Sequence, residues 1–596
     1  MLISFFIATA LASSILAQDV PAPVVDLGYE RYEGFYNAAS NQNIYRGIRY
    51  AAPPTGKLRW QLPEAPAENQ SHVITAVNYP PQCPQLDDSP GLPSDPPSGG
   101  EDCLFLNVEA PANRTKLPVM VWIHGGGYGA GNNSLFPFSE QIKTNGNSFI
   151  AVAIQYRLGV FGFLSSAEVA EKGVLNVGIH DMRFALQWVQ EHIHLFGGDP
   201  TQVTIAGSSA GAGAVMLLAM ANGGTEGDSL FKGAIPASPY LPTQWDFDSE
   251  RPTRYYDAFA EQVGCASNTS KSIFDCLVSA DTVVLQNANA WVTALAGYGQ
   301  RAFLPVTDGS LIRERPSQQL HYQGNVNGIR VLTGNTGNEG VVFLPQNITS
   351  EAAFRDFVLS NYPHLSDQNM TNLLNLYAVP SNSSGVYADS NGLTPPFSTT
   401  NSNWAIGWQQ AANNLYAETT LACPSYWLAD AYAKGDKCEG SWKYQFSVPP
   451  SLHSMDVYPL ITDPSVQGTG MNEVFRTAFQ RTWGNFIVKG DPTLSAAETE
   501  SSGDDVWAAG TGNWPQWGET VGRYSMLNLN MTGGMPVTQS MSIGGADIEA
   551  TIYVESTNGT WPPLEAIFQV VDAWSWEGGR GKRCQLWAEL GSWAME

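Results

Sequence analysis

The sequence predicts an α/β fold built on one large, mostly parallel central sheet flanked by helices, with long loop insertions. Three observations lead there. Extended apolar runs of strand length recur along the 596 residues, stretches with a helical apolar period lie between them, and no internal repeat is visible. Polar or Pro/Gly-rich segments over 80–100, 380–403 and 492–518 read as long loops. Strand and helix signals return on both sides of each, which gives one elaborated domain over 18–596 rather than several.

Taken in order, the chain starts with "MLISFFIATALASSILAQ", an apolar stretch of export-signal length with small residues around a cleavage after Ala17. It lacks the usual basic start, yet it is too short and too rich in Ser and Thr to span a bilayer. Residues 1–17 are therefore expected to be a removed signal peptide. The core strands are "LPVMVWI" (117–123), "FIAVAIQY" (149–156), "VTIAG" (203–207), "GIRVLTG" (328–334) and "SWKYQFSV" (441–448). A helix over 180–196 carries its apolar face through Met182, Leu186, Val189 and Ile193, and a second spans 472–490.

Composition narrows the function. Acids outnumber bases 55 to 30, a net charge of −25, which repels nucleic-acid phosphates and anionic membranes. No apolar run further on is long enough for a membrane anchor, and no cofactor fingerprint or metal-ligand spacing occurs, so no cofactor and no metal are expected. The chain is expected to be a secreted, extracellular protein acting on a small molecule; its oligomeric state has no signature. The 7 cysteines agree with export. Six of them are sequence neighbours (Cys83 and Cys103, Cys265 and Cys276, Cys423 and Cys438), suggesting three short-loop disulfides and leaving Cys584 free, although spacing does not establish connectivity. Glycosylation sequons recur at Asn69, Asn113, Asn132, Asn268, Asn347, Asn369, Asn382, Asn530 and Asn558.

The stretch "VTIAGSSAGAG" (203–213) places Gly207-Ser208-Ser209-Ala210-Gly211 between a strand and a small-residue helix. That is G-x-S-x-G in the strand–turn–helix setting of a strained nucleophile turn, whose flanking positions must be almost free of side chain. Centring the frame on Ser208 would put Ala206 and Ala210 there instead, so Ser209 is the expected nucleophile. "WIHGGGYGAG" (122–131) runs from a strand into three glycines. Such a loop supplies backbone N–H groups to a tetrahedral oxyanion, together with the N–H of the residue after the nucleophile, Ala210. A base and an acid should follow. Of the 8 histidines, only His321, His364 and His453 lie beyond the serine and leave room for an acid. His321 sits in a helix-like stretch and His364 in a polar surface-like one, whereas His453 follows a strand end. Glu339 follows the strand 328–334 and is preferred as the acid over Asp308, which suits a turn.

At this point the chain resembles the type-B carboxylesterase/lipase family, which includes fungal lipases, carboxylesterases and cholinesterases. "FGGDPTQVTIAGSSAG" (196–211) fits the family's serine signature. "EDCLFLNV" (101–108) fits a second one, although Glu109 follows where an apolar residue is usual. "YRGIRYAAPPTGKLRW" (45–60), "QYRLGVFGFL" (155–164), "NVGIHDMRFALQWVQEHI" (176–193), "FLPVTDG" (303–309) and "WGNFIVKGDP" (483–492) look like its structural blocks in their usual order. The resemblance implies an α/β-hydrolase fold with a Ser-Glu-His triad on Ser209, Glu339 and His453. It also implies oxyanion donors at Gly126, Gly127 and Ala210, disulfides Cys83–Cys103 and Cys265–Cys276, and a buried Arg59–Glu101 pair.

Two departures bear on substrate. Ser208 stands where the family usually has Glu, removing a negative charge beside the nucleophile. The loop "PQLDDSPGLPSDPPSGGED" has no aromatic residue for a choline site and no amphipathic flap for a lipase lid. The expected function is a secreted serine carboxylic-ester hydrolase working through an acyl-enzyme on soluble short-chain or aromatic-acyl esters, hydroxycinnamoyl esters among them. The rival is a lipase or sterol-ester hydrolase, and a more remote one is a non-catalytic, cholinesterase-like adhesion protein.

Overall fold

The computed structural model describes residues 22–86, 98–266, 272–296, 300–377, 392, 402, 404–435, 437–462, 470–495, 498, 514–519, 524–543, 546–556 and 559–591. The signal stretch, most of the Cys83–Cys103 loop, and most of the long loops expected at 380–403 and 492–518 lie outside the described residues, as do Asn268, Asn382 and Asn558.

An 11-stranded sheet organises the molecule. Its strands are β1 (Phe35–Asn37), β2 (Gln42–Arg49), β3 (Phe105–Pro111), β4 (Leu117–Ile123), β5 (Ile150–Ile154), β6 (Gly198–Ser208), β7 (Gly233–Ala237), β8 (Arg330–Thr336), β9 (Gly440–Phe446), β10 (Ser525–Thr532) and β11 (Glu565–Asp572). Across the sheet they lie in the order β11-β10-β9-β8-β7-β6-β4-β5-β3-β2-β1. All neighbours from β5 through β10 are parallel, and both edges are antiparallel. The five core strands read from the sequence are β4, β5, β6, β8 and β9.

Central strands of a parallel sheet are buried on both faces, so they show nearly unbroken apolar runs rather than alternation. β4 illustrates this: Val119, Val121 and Ile123 join one core cluster while Met120 and Trp122 join the other. Helix α1 (Val177–His192), continued by a short 3₁₀ turn to Phe196, lays Met182, Leu186, Val189 and Ile193 on the first side. Helix α2 (Ala210–Gly224) packs beside it. On the second side, helix α4 (Glu473–Lys489) buries Phe475, Phe479, Trp483 and Phe486. The Asn472 side chain caps its first turn and Gly490 ends it in the left-handed region (φ 78°).

Cys83–Cys103 and Cys265–Cys276 are bonded. The third disulfide corrects the expectation from spacing: Cys423 pairs with Cys584, not Cys438, with Cα atoms 5.0 Å apart. Cys423 opens helix α3 (Cys423–Lys434), and Cys438 lies beyond its far end. A helix of that length spans about 18 Å, whereas a disulfide needs Cα atoms within roughly 7 Å. Helix α5 (Trp576–Leu590) brings Cys584 to the near end, and Cys438 is the free thiol. The same helix delivers Arg580 and Arg583 to the buried Glu418 carboxylate. The Arg59–Glu101 pair is bidentate, at 2.7 and 2.6 Å.

Candidate active site

β6 ends at Ser208 and α2 begins at Ala210, leaving Ser209 alone at the corner with φ 58° and ψ −126°. A non-glycine residue there is strained, and the chain must turn within one residue. The flanking glycines show how tight the turn is. A Cβ added at Gly211 would lie 2.0 Å from the Ile123 carbonyl oxygen, and one at Gly207 2.6 Å from the Gly211 carbonyl carbon. Ala210 is the first helical residue, so its N–H has no acceptor within the helix. The glycine loop after β4 passes directly over this corner: a Cβ on Gly125 would sit 3.0 Å from Cβ of Ser209. Gly126 and Gly127 both adopt positive φ (108° and 61°), and the Gly126 carbonyl accepts from Gly129 and Ala130, closing the loop. Gln85 clamps its far end, accepting from the Gly131 N–H at 2.7 Å and donating to the Gly131 carbonyl at 3.0 Å. His124 is buried and stacked on Tyr156; burial pulls its pKa down to about 4, so it carries no charge at neutral pH.

Three residues beyond β8, Glu339 is buried, and Oε2 lies 2.5 Å from Nδ1 of His453, which stands seven residues beyond β9. Burial pushes the Glu339 carboxyl up, but His453, the Ser238 hydroxyl (2.6 Å) and the Thr336 N–H (2.6 Å) outweigh it and hold it below its usual range. The other imidazole nitrogen, Nε2, is buried with no hydrogen-bond partner among the described residues. Phe343 packs edge-on against the ring at 5.1 Å. Ser209, Ser238, Glu339 and His453 thus follow the carboxyl ends of four successive sheet neighbours, β6 to β9, the end of a parallel sheet where ligands bind.

Asp308 is committed to its turn, accepting from Asn176 (2.7 Å), Ser310 N–H and Ile312 N–H. His321 lies in the short helical turn Gln319–Gln323 and His364 is exposed. Two residues of this cluster had no signal in the sequence. Ser238 follows β7, a strand hidden by Pro236, and Asp456 is a second fully buried carboxyl three residues after His453. Asp456 accepts from the Tyr444 hydroxyl at 2.8 Å, and burial, with Glu339 nearby, pushes its pKa up to about 6.

Two clefts adjoin the corner. One is lined by Trp245, Arg251, Tyr255 and Arg301, the last lying against Gly127. The other is lined by Tyr240, Phe357, Tyr362 and Tyr416; Thr243 and Gln300 border both. The Tyr240 N–H donates to the Ser209 carbonyl at 3.1 Å, which places this aromatic cleft beside the turn.

An α/β-hydrolase sheet whose carboxyl edge carries this serine corner, glycine loop and carboxylate–imidazole pair defines a carboxylic-ester hydrolase. The chain belongs to the carboxylesterase family, whose profile matches residues 21–543. It is 29% identical over 553 residues to carboxylesterase patB of Aspergillus clavatus, covering 82% of this chain and 92% of that protein. It is 32% identical over 398 residues to lipase 4 of Diutina rugosa, covering 62% and 72%. Among solved structures, EstA of Aspergillus niger superposes with a TM-score of 0.74 at 26% identity, covering 96% of this chain and 99% of that one.

Proposed function

We propose that the protein is a secreted esterase in which Ser209 attacks the ester carbonyl and His453 takes its proton through Nε2. Glu339 orients the ring and balances the imidazolium, and the N–H groups of Gly126, Gly127 and Ala210 hold the oxyanion. His453 then returns the proton to the departing alcohol. Water repeats the cycle on the acyl-enzyme, with the same histidine as base. The observation that carries this reading is the Glu339–His453 contact, which fixes Nδ1 and leaves Nε2, at the sheet edge that bears Ser209, without a hydrogen-bond partner among the described residues.

The substrates proposed are dissolved short-chain or aromatic-acyl esters, methyl hydroxycinnamates included. Tyr240, Tyr362, Tyr416 and Phe357 line a cleft beside the turn and offer flat aromatic walls to an acyl group. The lipase names of some relatives favour a second reading, hydrolysis of long-chain acylglycerols or sterol esters. A rate panel separates the two. Soluble p-nitrophenyl butyrate and methyl hydroxycinnamates should be turned over with no jump at the solubility limit, whereas a sharp rise on emulsified long-chain triacylglycerol establishes the lipase reading.

Export is part of the proposal, with residues 1–17 removed. Asn69, Asn113 and Asn347 are exposed and open to glycans, while Asn132, Asn369 and Asn530 are half-buried. Peptide mapping of the secreted protein before and after deglycosylation tests both points: an intact residue 1 or unmodified exposed sequons would refute them.

A further inference from the structure

The groups around Ser209 are tied together unequally. The acid and histidine loops are joined by several bonds: the Asn338 N–H donates to the Ser451 carbonyl (2.8 Å), the Gly337 N–H to the Ser451 hydroxyl (2.7 Å), and the Asn338 amide to the Pro450 carbonyl (3.0 Å). Glu339 reaches His453 across the same seam. The serine corner is joined to the acid side as well, through Ser209 N–H to the Ala237 carbonyl and Ser238 to Glu339. Between the serine corner and the histidine loop, the described residues make one hydrogen bond, Ser208 Oγ to Ser454 Oγ at 3.1 Å.

Each partner adjoins a reacting residue: Ser208 precedes Ser209 and Ser454 follows His453. Ser208 is buried. Ser454 holds φ 65°, a left-handed conformation that a serine does not take without compensation. We infer that this hydroxyl pair is a latch: it holds Ser454 in its strained conformation and so sets the position of the His453 ring relative to Ser209. Ser208 and Ser454 are positioning residues, acting through their neighbours. The inference rests on the triad proposed above.

A latch of this kind acts on the proton transfer between Ser209 and His453 and leaves substrate binding alone. Misplacement of a reacting group by about 1 Å costs up to 100-fold in rate, and loss of one neutral hydrogen bond corresponds to roughly fivefold. Ser208→Ala and Ser454→Ala should each lower kcat by about 5- to 50-fold on a soluble butyrate ester, with KM changed less than about twofold. The same loss should appear in the single-turnover release of p-nitrophenol from diethyl p-nitrophenyl phosphate, which reports attack by the serine alone. The double variant should be no worse than the worse single, because both remove one bond. Ser454→Gly should lose less than Ser454→Ala, since glycine takes positive φ without strain. Circular dichroism and Tm identify any variant that fails to fold, and Ser454→Gly with Ser208→Ala then carry the comparison. Singles within twofold of wild type, losses that multiply in the double, or a change confined to KM would overturn the latch. An active Ser209→Ala would instead overturn the catalytic reading itself, whatever the latch variants do.

Discussion

The serine corner and the C-terminal clamp both place strained or charged groups in the interior, at opposite extremes of sequence distance. At the corner, Gly207, Ser209 and Gly211 fall within five residues, and the clashes that demand glycine are all with backbone: Gly211 for Gly207, and Ile123 at the end of the adjacent strand β4 for both glycines. At the clamp, Glu418 meets Arg580 and Arg583, and Cys423 meets Cys584 across a separation of 161 residues. The corner determines where one oxygen atom stands, while the clamp determines whether the last helix stays on the sheet. Activity and stability should therefore separate cleanly between the two.

The sharpest separation is expected from Ser209→Ala, which removes only the attacking oxygen. Ester hydrolysis should fall on the order of 10⁴-fold or more with Tm unchanged, as measured by turnover and calorimetry on the same sample. Residual turnover near wild type would place the nucleophile elsewhere. At the clamp, Glu418→Gln should do the reverse. Burial pushes the Glu418 carboxyl up, yet Arg583 and Arg580 hold it below its usual range, so neutralising it strands two buried guanidinium groups. A loss of about 3–5 kcal/mol in denaturant unfolding is expected, with the folded fraction still fully active at low temperature. Unchanged stability would mean the clamp is not holding the helix. The paired change Cys423→Ser/Cys584→Ser comes next, at about 2–5 kcal/mol from the loop of 161 residues that it opens; equal stability with and without reductant would contradict it.

A smaller, pH-dependent effect lies between the two regions, at Asp456. Its folded pKa is raised to about 6 from 3.8, chiefly by burial and then by Glu339. Between those values the native carboxyl keeps a proton that the unfolded chain has released, so stability falls as pH rises through this window. The penalty is fully present above about pH 6 and absent below about pH 4, on the order of 3 kcal/mol at most. Asp456→Asn should flatten that part of the stability–pH curve. If the variant follows the wild-type slope from pH 4 to 7, the carboxyl does not titrate there.

Legibility in the sequence follows the same divide. β4, β5, β6, β8 and β9 were readable because strands buried on both faces are continuous apolar runs, and α1 because Met182, Leu186, Val189 and Ile193 keep one helical face. The serine corner was readable because the residues that form it, Gly207 to Gly211, are contiguous, even though the clash that demands Gly211 comes from Ile123 on β4. β7 was not, since Pro236 sits in its interior, where a strand loses a ladder donor. β10 and β11 pair with each other at the sheet edge and lack the apolar runs of the centre. Asp456 was hidden because its partner, Tyr444, lies across the β9 turn. The Cys423 pairing failed for a geometric reason that spacing does not contain: helix α3 carries Cys438 away from Cys423.

That helix has a consequence for the order in which thiols oxidise. Before α3 forms, Cys423 and Cys438 are only fifteen positions apart in a flexible chain, against 161 to Cys584. Loop-closure statistics then favour the short pair by roughly 35-fold. The kinetically preferred bond is thus one that the native helix forbids, and a chain that closes it must pass through thiol–disulfide exchange to reach the native pairing. Burial pushes the Cys438 thiol up to about 11 in the native protein, so once displaced it is a poor nucleophile for attacking the bond again. Cys438→Ser should reach the native oxidised form faster in refolding from the reduced state, and an unchanged rate would show that the helix forms before the cysteines react.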